Sequence, residues 1–280
     1  MSNQRLKQFG EKGVHNKIDW IREADSKLIS AKILREVASV KETELKRLCE
    51  SGKANSQSVF ELIQPVESAN KSSFLLLGYA IELLLKSGVV SLLINAPKHL
   101  LELKVRKYGH KLQNMCTDLN IDLIGTEKEL LEVLSSFIVN EARYPVTVSS
   151  IQEYSKLKNE IGAQLANNES FNLGVHIYDN VRKILSGIDG TEDNPVFRGR
   201  REIDSDGYYV FRVGGTLPPV LIFKYSEKKI KGGKNNVDDM KSLIVNSLDN
   251  DIISRILLDS LDLSDIYIAS EKSGLVKYQH

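Results

Sequence analysis

The chain has 280 residues, of which 41% are hydrophobic and 27% charged, with a formal net charge of +1. A chain of this length buries one large core or two smaller ones. Its near-neutral charge argues against nucleic-acid binding by bulk charge alone, although a local basic patch is compatible with it. The two cysteines have no metal-binding spacing, and no apolar signal run opens the sequence. We therefore expect a cytoplasmic protein with free thiols, without a bound metal or cofactor.

In chain order, helical periodicity begins at residue 16 and extends to residue 50, and a loop is expected over residues 51–58. A short helix should follow over residues 59–63, and Pro65 should interrupt it. The next helix has three candidate N-terminal caps, Asn70, Ser72 and Ser73.

Residues 74–94 form the most apolar segment of the chain, FLLLGYAIELLLKSGVVSLLI. Its polar exceptions Tyr79, Glu82 and Lys86 fall on one side of a helix, and Glu82 precedes Lys86 by the four residues that favour an ion pair. The length also fits a membrane span, but two charges near the middle would be costly in lipid. The segment therefore predicts the central helix of a helical bundle, with an internal polar stripe and no membrane association.

Three further helices are predicted after Pro97. A capping box of Thr126 and Glu129 opens the second of them, which should end before Pro145. The three cover residues 110–119, 126–138 and 169–185. Residues 149–167 are weakly helical.

The composition changes at residues 186–195, where we place a domain boundary. Strands are predicted over residues 196–203, 208–213 and 219–225, and the turn from Asp204 to Gly207 makes the first two a hairpin. Two helices follow over residues 236–248 and 250–261. The predicted fold is mainly α, with a flexible arm (1–15), a helical bundle (16–187) and a small α+β appendage (195–280).

Enzymatic motifs such as phosphate-binding loops, nucleophile elbows and metalloprotease signatures are absent from the sequence. His110 is the histidine of interest, because it follows Arg106 and opens a predicted helix. An imidazole beside a guanidinium can cleave RNA without metal, since one moves the proton and the other steadies the phosphate. The structural alternative is that His110 caps its helix and packs. Arg143 can likewise bind helix carbonyls, pair with Glu82 or contact phosphate.

Three motifs together resemble the HEPN superfamily (higher eukaryotes and prokaryotes nucleotide-binding domains). They are GYAIELLLKS at residues 78–87, YGHKLQNM at 108–115 and EARYPV at 141–146, within a matching zone of about residues 16–185. The resemblance implies a four- or five-helix bundle that commonly dimerises. Many HEPN proteins are ribonucleases in which four to six residues separate an arginine from a downstream histidine. Here three residues separate Arg106 from His110, and no histidine follows Arg143 within range, which implies binding without typical cleavage.

The resulting hypothesis is a HEPN-like module of a bacterial antiviral defence, toxin–antitoxin or stress system. It would form a homodimer and bind RNA, a nucleotide or a partner protein encoded nearby. The expected anion-binding residues are Arg198, Arg200, Arg201, Lys224, Lys228, Lys229, Lys231 and Lys234, although acidic neighbours make an ordinary solvated surface an open alternative. Two other functions stay open: a metal-independent endoribonuclease using His110 with Arg106 or Arg143, and a purely structural dimeric subunit.

Overall fold

The structure, a computed structural model, describes residues 4–141, 163, 165–248, 252–271 and 273–278. It is mainly helical with a small C-terminal sheet, as the sequence predicts. The helices of the bundle are α1 (Lys17–Glu50), α2 (Ser56–Leu92), α3 (Lys98–Tyr108), α4 (Leu112–Asp118), α5 (Gly125–Ser136) and α6 (Asn168–Ser186). A π-helical turn, Phe137–Glu141, follows α5. The weakly helical region predicted at 149–167 lies mostly outside the described residues.

The helices α1 and α2 form a long helical hairpin around residues 51–55. Asn55 caps α2 by accepting a hydrogen bond from the Ser58 amide at 2.8 Å. The predicted break at Pro65 is wrong, because α2 continues through the proline. Proline removes one backbone hydrogen bond, yet α2, which packs against α1, keeps its helical course at this position. The predicted caps lie inside α2 instead, where Asn70 accepts a hydrogen bond from Arg35 at 2.7 Å.

The central helix is confirmed as the C-terminal half of α2. Most of its apolar side chains are buried, and those of Phe74, Leu77, Ile81, Leu84 and Leu85 are fully buried. In the described part of the chain, α2 is the one helix long and apolar enough to cross a membrane, but 72% of its most apolar window is buried inside the protein. Such burial is what the core helix of a bundle requires.

In the described C-terminal region, five strands form one sheet in the order β1-β2-β3-β4-β5. They are β1 (Phe197–Glu202), β2 (Tyr208–Val213), β3 (Val220–Lys224), β4 (Asp265–Ser270) and β5 (Gly274–Lys277). The pair β3–β4 is parallel and the other pairs are antiparallel. The connection from β3 to β4 carries α7 (Glu227–Lys231), α8 (Val237–Ser247) and α9 (Ile252–Ser260). The sequence predicted only the first three strands and the last two helices.

The sheet is covered on both faces. Tyr208, Val210 and Ile222 belong to the core cluster of the bundle. Tyr209 and Phe223 point to the other face, where they join a second cluster with residues of α8 and α9. The sheet and the bundle therefore share one core.

The N-terminal segment differs from the expected free arm in its described part, which starts at Gln4. Leu6 is fully buried, and its amide donates to the Ala96 carbonyl at 2.8 Å while its carbonyl accepts from the Asn95 amide at 2.9 Å. Arg5 forms a bridge with Pro97. One apolar side chain and a short run of backbone pairing therefore hold the segment against the end of α2, a long-range contact that sequence periodicity does not reveal.

Candidate functional site

Glu82 joins the predicted polar stripe to His110. The Glu82 carboxylate, whose side chain is 4% exposed, lies 2.8 Å from Nδ1 of His110 and 2.5 Å from Nζ of Lys86. The Lys86 ammonium also lies 5.7 Å from the centre of the Trp20 ring. Opposite charge and hydrogen bonding therefore satisfy the carboxylate inside the bundle.

The turn after α3 brings His110 to this carboxylate. Gly109 ends α3 with φ of +57°, a left-handed conformation that glycine adopts without strain. Tyr108, on one side of this glycine, is buried, whereas the His110 side chain keeps 27% of its surface exposed. The turn therefore presents a partly accessible imidazole whose orientation is set by a buried acid.

The other residues proposed for catalysis do not join this pair. Arg106 lies in the last turn of α3 with an exposed side chain, and Arg143 lies outside the described residues. Tyr79 is half-buried in α2. The described geometry thus brings together two of the polar-stripe residues and His110.

The predicted anion-binding residues lie on β1, at the end of β3 and around α7, and they differ in burial. The side chains of Arg198 and Arg200, on β1, are only 8% and 5% exposed. Arg201 is half-buried on the other face of β1, and Lys224 pairs with Glu271 at 3.3 Å. The remaining lysines lie on α7 or in the loop after it: Lys228, Lys231 and Lys234 are exposed, and Lys229 is half-buried.

A lysine-lined cleft that the sequence patterns do not predict lies between α3, α4 and β5. It has a volume of about 370 Å³, and four lysines line it: Lys104, Lys107, Lys111 and Lys277. Asp118 is the carboxylate in its wall. Lys107 and Lys111 are exposed and have no ion pair with a described residue, while Lys277 pairs with Asp265 at 2.9 Å.

Lys104, in the lining of the cleft, is buried and contacts Asp118 and two buried tyrosines. Lys104 Nζ lies 2.5 Å from Asp118 and 5.0 and 5.1 Å from the ring centres of Tyr108 and Tyr267. Tyr108 donates a hydrogen bond to Asp118 at 2.6 Å. Burial, together with the Asp118 charge, raises the pKa of Tyr108 far above its ordinary value. Because Asp118 is engaged twice, it neutralises little of the charge on the exposed lysines.

The spacing of three of the four lysines in the sequence already indicates part of this cleft. Lys104 and Lys107 are three residues apart, which puts them on one side of a helix, and Lys111 follows directly after the turn at Gly109. Lys277 comes from the last strand, which was not predicted. Its place beside α3 depends on sheet pairing, so sequence spacing alone does not show it.

The described residues contain no cluster of histidine, cysteine and acidic side chains suited to a metal. Cys49 is exposed and Cys116 is buried, and burial raises the pKa of the Cys116 thiol to about 12. Comparisons with protein-family models, curated proteins and solved structures give no match for the chain.

Proposed function

We propose that the protein is a binding module for a phosphate-bearing ligand, RNA or a nucleotide, in the lysine-lined cleft. The single observation that carries the proposal is the excess of lysines over carboxylates in that cleft. Lys107 and Lys111 are exposed, and no described carboxylate pairs with them, so both are available to phosphate oxygens. The resemblance of three motifs to HEPN-like proteins supports the same ligand class and a bacterial defence or stress setting.

The charge of the chain and the lining of the cleft favour a single strand or a nucleotide over a duplex attracted by bulk charge. The net charge of the whole chain is only +1, so long-range attraction is weak and binding depends on local contacts. Tyr108 forms part of the lining beside the lysines. A cationic groove with an aromatic wall is a common arrangement for single-stranded nucleic acid.

Fluorescence anisotropy with a labelled single-stranded RNA tests the proposal. The double variant Lys107→Gln/Lys111→Gln should bind at least several-fold more weakly. Its salt dependence, the slope of log K against log salt, should be about 1.4 units shallower, because each lost contact to a single strand removes about 0.7. Lys32→Gln, an exposed lysine on α1, is the matched control. Absence of binding at low salt, or equal weakening by Lys32→Gln, would contradict the proposal.

A second candidate function is metal-independent RNA cleavage, and the His110–Glu82 pair favours it. A buried carboxylate on Nδ1 orients a partly exposed imidazole, and an oriented imidazole is a common general acid or base. Cleavage in EDTA should then fall by a factor of about 10²–10⁴ in His110→Gln, the usual contribution of a general acid or base. It should persist in His176→Gln, which changes an exposed histidine on α6. A wild-type protein that cuts no RNA would exclude this function.

The homodimer stays a prediction, and α1 offers a surface for it. Ile29, Ile33, Val37 and Val40 form an apolar row on α1 and are 42–59% exposed. Exposed apolar rows of this kind commonly mark contact surfaces. If two copies pair here, Ile33→Glu should lower the mass measured by light scattering to that of one chain, whereas Lys32→Glu beside it should leave the mass unchanged.

A further inference from the structure

Two arginines face each other where the sheet meets the bundle. Arg198 on β1 is paired directly with Arg212 on β2 in the antiparallel register. Their neighbours on this face, Tyr208 and Val210, belong to the core of the bundle, and Arg212 itself is 3% exposed. Like charges directly opposite one another in a sheet repel, so this pair needs compensation from other groups.

The compensation within the described chain is incomplete. Arg198 pairs with Asp189, which also binds Lys17, so that two cations share one carboxylate. Arg212 donates one hydrogen bond to the Ile188 carbonyl, a neutral acceptor. The surroundings of the two arginines therefore carry an excess of positive charge.

Arg200 extends this group along β1. It lies two residues from Arg198 and therefore on the same face of the strand. Its guanidinium lies 3.7 Å from the centre of the Tyr208 ring, and its Nε donates to Glu202 at 2.8 Å. We call Arg198, Arg200 and Arg212 the arginine cluster.

The arginine cluster holds buried donors without an acceptor. In the described part of the chain no hydrogen-bond partner exists for Nε and Nη1 of Arg198, Nε and Nη1 of Arg212, or Nη1 of Arg200. Buried polar groups in proteins are nearly always hydrogen-bonded. Five such nitrogens, all on guanidinium groups, match an acceptor with several oxygen atoms and negative charge.

We propose that the arginine cluster binds a small tetrahedral oxyanion, a phosphate group. Guanidinium groups recognise phosphate through charge-assisted hydrogen bonds in a planar geometry. The donors are shielded from solvent, which excludes a polymer chain and favours a single small group. Lys17 and Asp189 have side chains that are 27% and 22% exposed, so the ion pair that contacts Arg198 lies at the protein surface. Inorganic phosphate and the phosphate of a mononucleotide share this chemistry.

This site is independent of the RNA-binding cleft. The two sites have no residue in common, since the cleft is lined by α3, α4 and β5, and the arginine cluster lies on β1 and β2. Loss of RNA binding would therefore leave the oxyanion site intact.

Thermal unfolding of the full chain in phosphate and in chloride, at equal pH and ionic strength, tests the proposal. Phosphate should raise the Tm of the wild type with increasing concentration, as mass action requires for a ligand of the folded state. Arg212→Met should abolish that rise, and calorimetric titration should show phosphate affinity at least tenfold weaker. Arg198→Met is the second variant if Arg212→Met does not fold. Arg201→Met, on the same strand but the other face, should keep the wild-type response.

Further ligands in the same assays identify the source of the phosphate. A nucleoside monophosphate is compared with its unphosphorylated nucleoside and with inorganic phosphate. A monophosphate response that is larger than that of inorganic phosphate, and is lost in Arg198→Met, assigns the site to a nucleotide. A response to inorganic phosphate alone assigns it to the free ion. The proposal is overturned if phosphate does not stabilise the wild type beyond chloride, or if Arg201→Met loses the response as fully as the cluster variants.

Discussion

The Nδ1 atom of His110 lies 2.8 Å from Oε2 of Glu82, although 28 residues separate the two along the chain. Glu82 belongs to the buried core helix, and His110 belongs to the turn that follows α3. The same turn carries Tyr108 and Lys111, which line the lysine cleft. The Glu82–His110 contact therefore connects the turn that lines the cleft to the buried core helix. Loss of this contact should change both the stability of the bundle and the position of the turn.

The first prediction concerns Glu82→Gln. The change removes the carboxylate charge that both Lys86 and His110 contact, and leaves the Lys86 ammonium, 12% exposed, without its partner. Breaking a buried ion pair on one side typically costs about 3–5 kcal/mol of unfolding free energy. Urea denaturation measures the loss.

The control for this variant is Glu61→Gln on the exposed N-terminal half of α2. Surface changes of this kind usually stay within about 0.5 kcal/mol. Equal unfolding free energies for the two variants would show that the Glu82 contacts contribute no net stability.

A second prediction concerns close packing of α6 on α2. A Cβ atom at Gly174 would lie 2.6 Å from Cδ2 and 3.3 Å from Cγ of Leu77, and Leu77 is fully buried. Gly174→Ala gains helix propensity of about 1 kcal/mol, but overpacking a core commonly costs about 1–3 kcal/mol. We expect net destabilisation, measured as a lower midpoint in urea.

Gly125→Ala is the matched glycine control, because a Cβ there meets nothing within 4 Å. It should be neutral or slightly stabilising. Adding Leu77→Val to Gly174→Ala should recover part of the lost stability, whereas an additive further loss would argue against a steric clash at this contact.

Local patterns predicted some elements and missed others for physical reasons. The buried half of α2 was recognisable because it is apolar on almost every face, and β1 and β2 because of the Asp204–Gly207 turn, where Asp204 accepts from the Gly207 amide at 2.8 Å. Strand β4 was missed because it pairs in parallel with β3 across about forty residues, and such pairing leaves no local signal. Strand β5 has only four residues and pairs with β4 alone.

The candidate site was predictable only in part. Glu82 and His110 were both singled out, yet their contact depends on how α3 packs beside α2. The lysine cleft and the arginine cluster each combine residues that are distant in sequence, such as Lys104 with Lys277 and Arg198 with Arg212. Composition does not indicate either cationic site, because the chain as a whole is nearly neutral.

The third prediction concerns the docked N-terminal segment. Leu6 is fully buried beside the end of α2, so Leu6→Ala should destabilise the protein by about 2–4 kcal/mol, the usual cost of truncating a core leucine. Phe9→Ala removes a side chain that is 80% exposed and should change little. Hydrogen exchange gives an independent measurement, since the Leu6 amide bonded to Ala96 should be protected. Rapid exchange at that amide would instead indicate a free arm.

The last prediction concerns stability in acid and rests on Asp189. Burial by itself raises the pKa of this carboxyl, but the hydrogen bond from Lys17 and the charge of Arg198 outweigh burial, so the pKa lies below its ordinary value of 3.8. A carboxyl whose pKa is lower in the folded state stabilises the fold above its unfolded pKa, and that stability is lost as the pH falls through the folded value. Asp189→Asn should therefore be less stable than the wild type by about 2–3 kcal/mol near pH 6, somewhat below the range for fully buried pairs. The difference should shrink as the pH falls below about 4, where unfolded aspartate becomes protonated.

Denaturation in phosphate-free buffers across this pH range measures the difference. The control is Asp193→Asn, since Asp193 is exposed and makes no ion pair with the described residues; this variant should match the wild type throughout. If the difference in unfolding free energy between Asp189→Asn and the wild type instead widens in acid, the pKa of Asp189 is not lowered in the folded state.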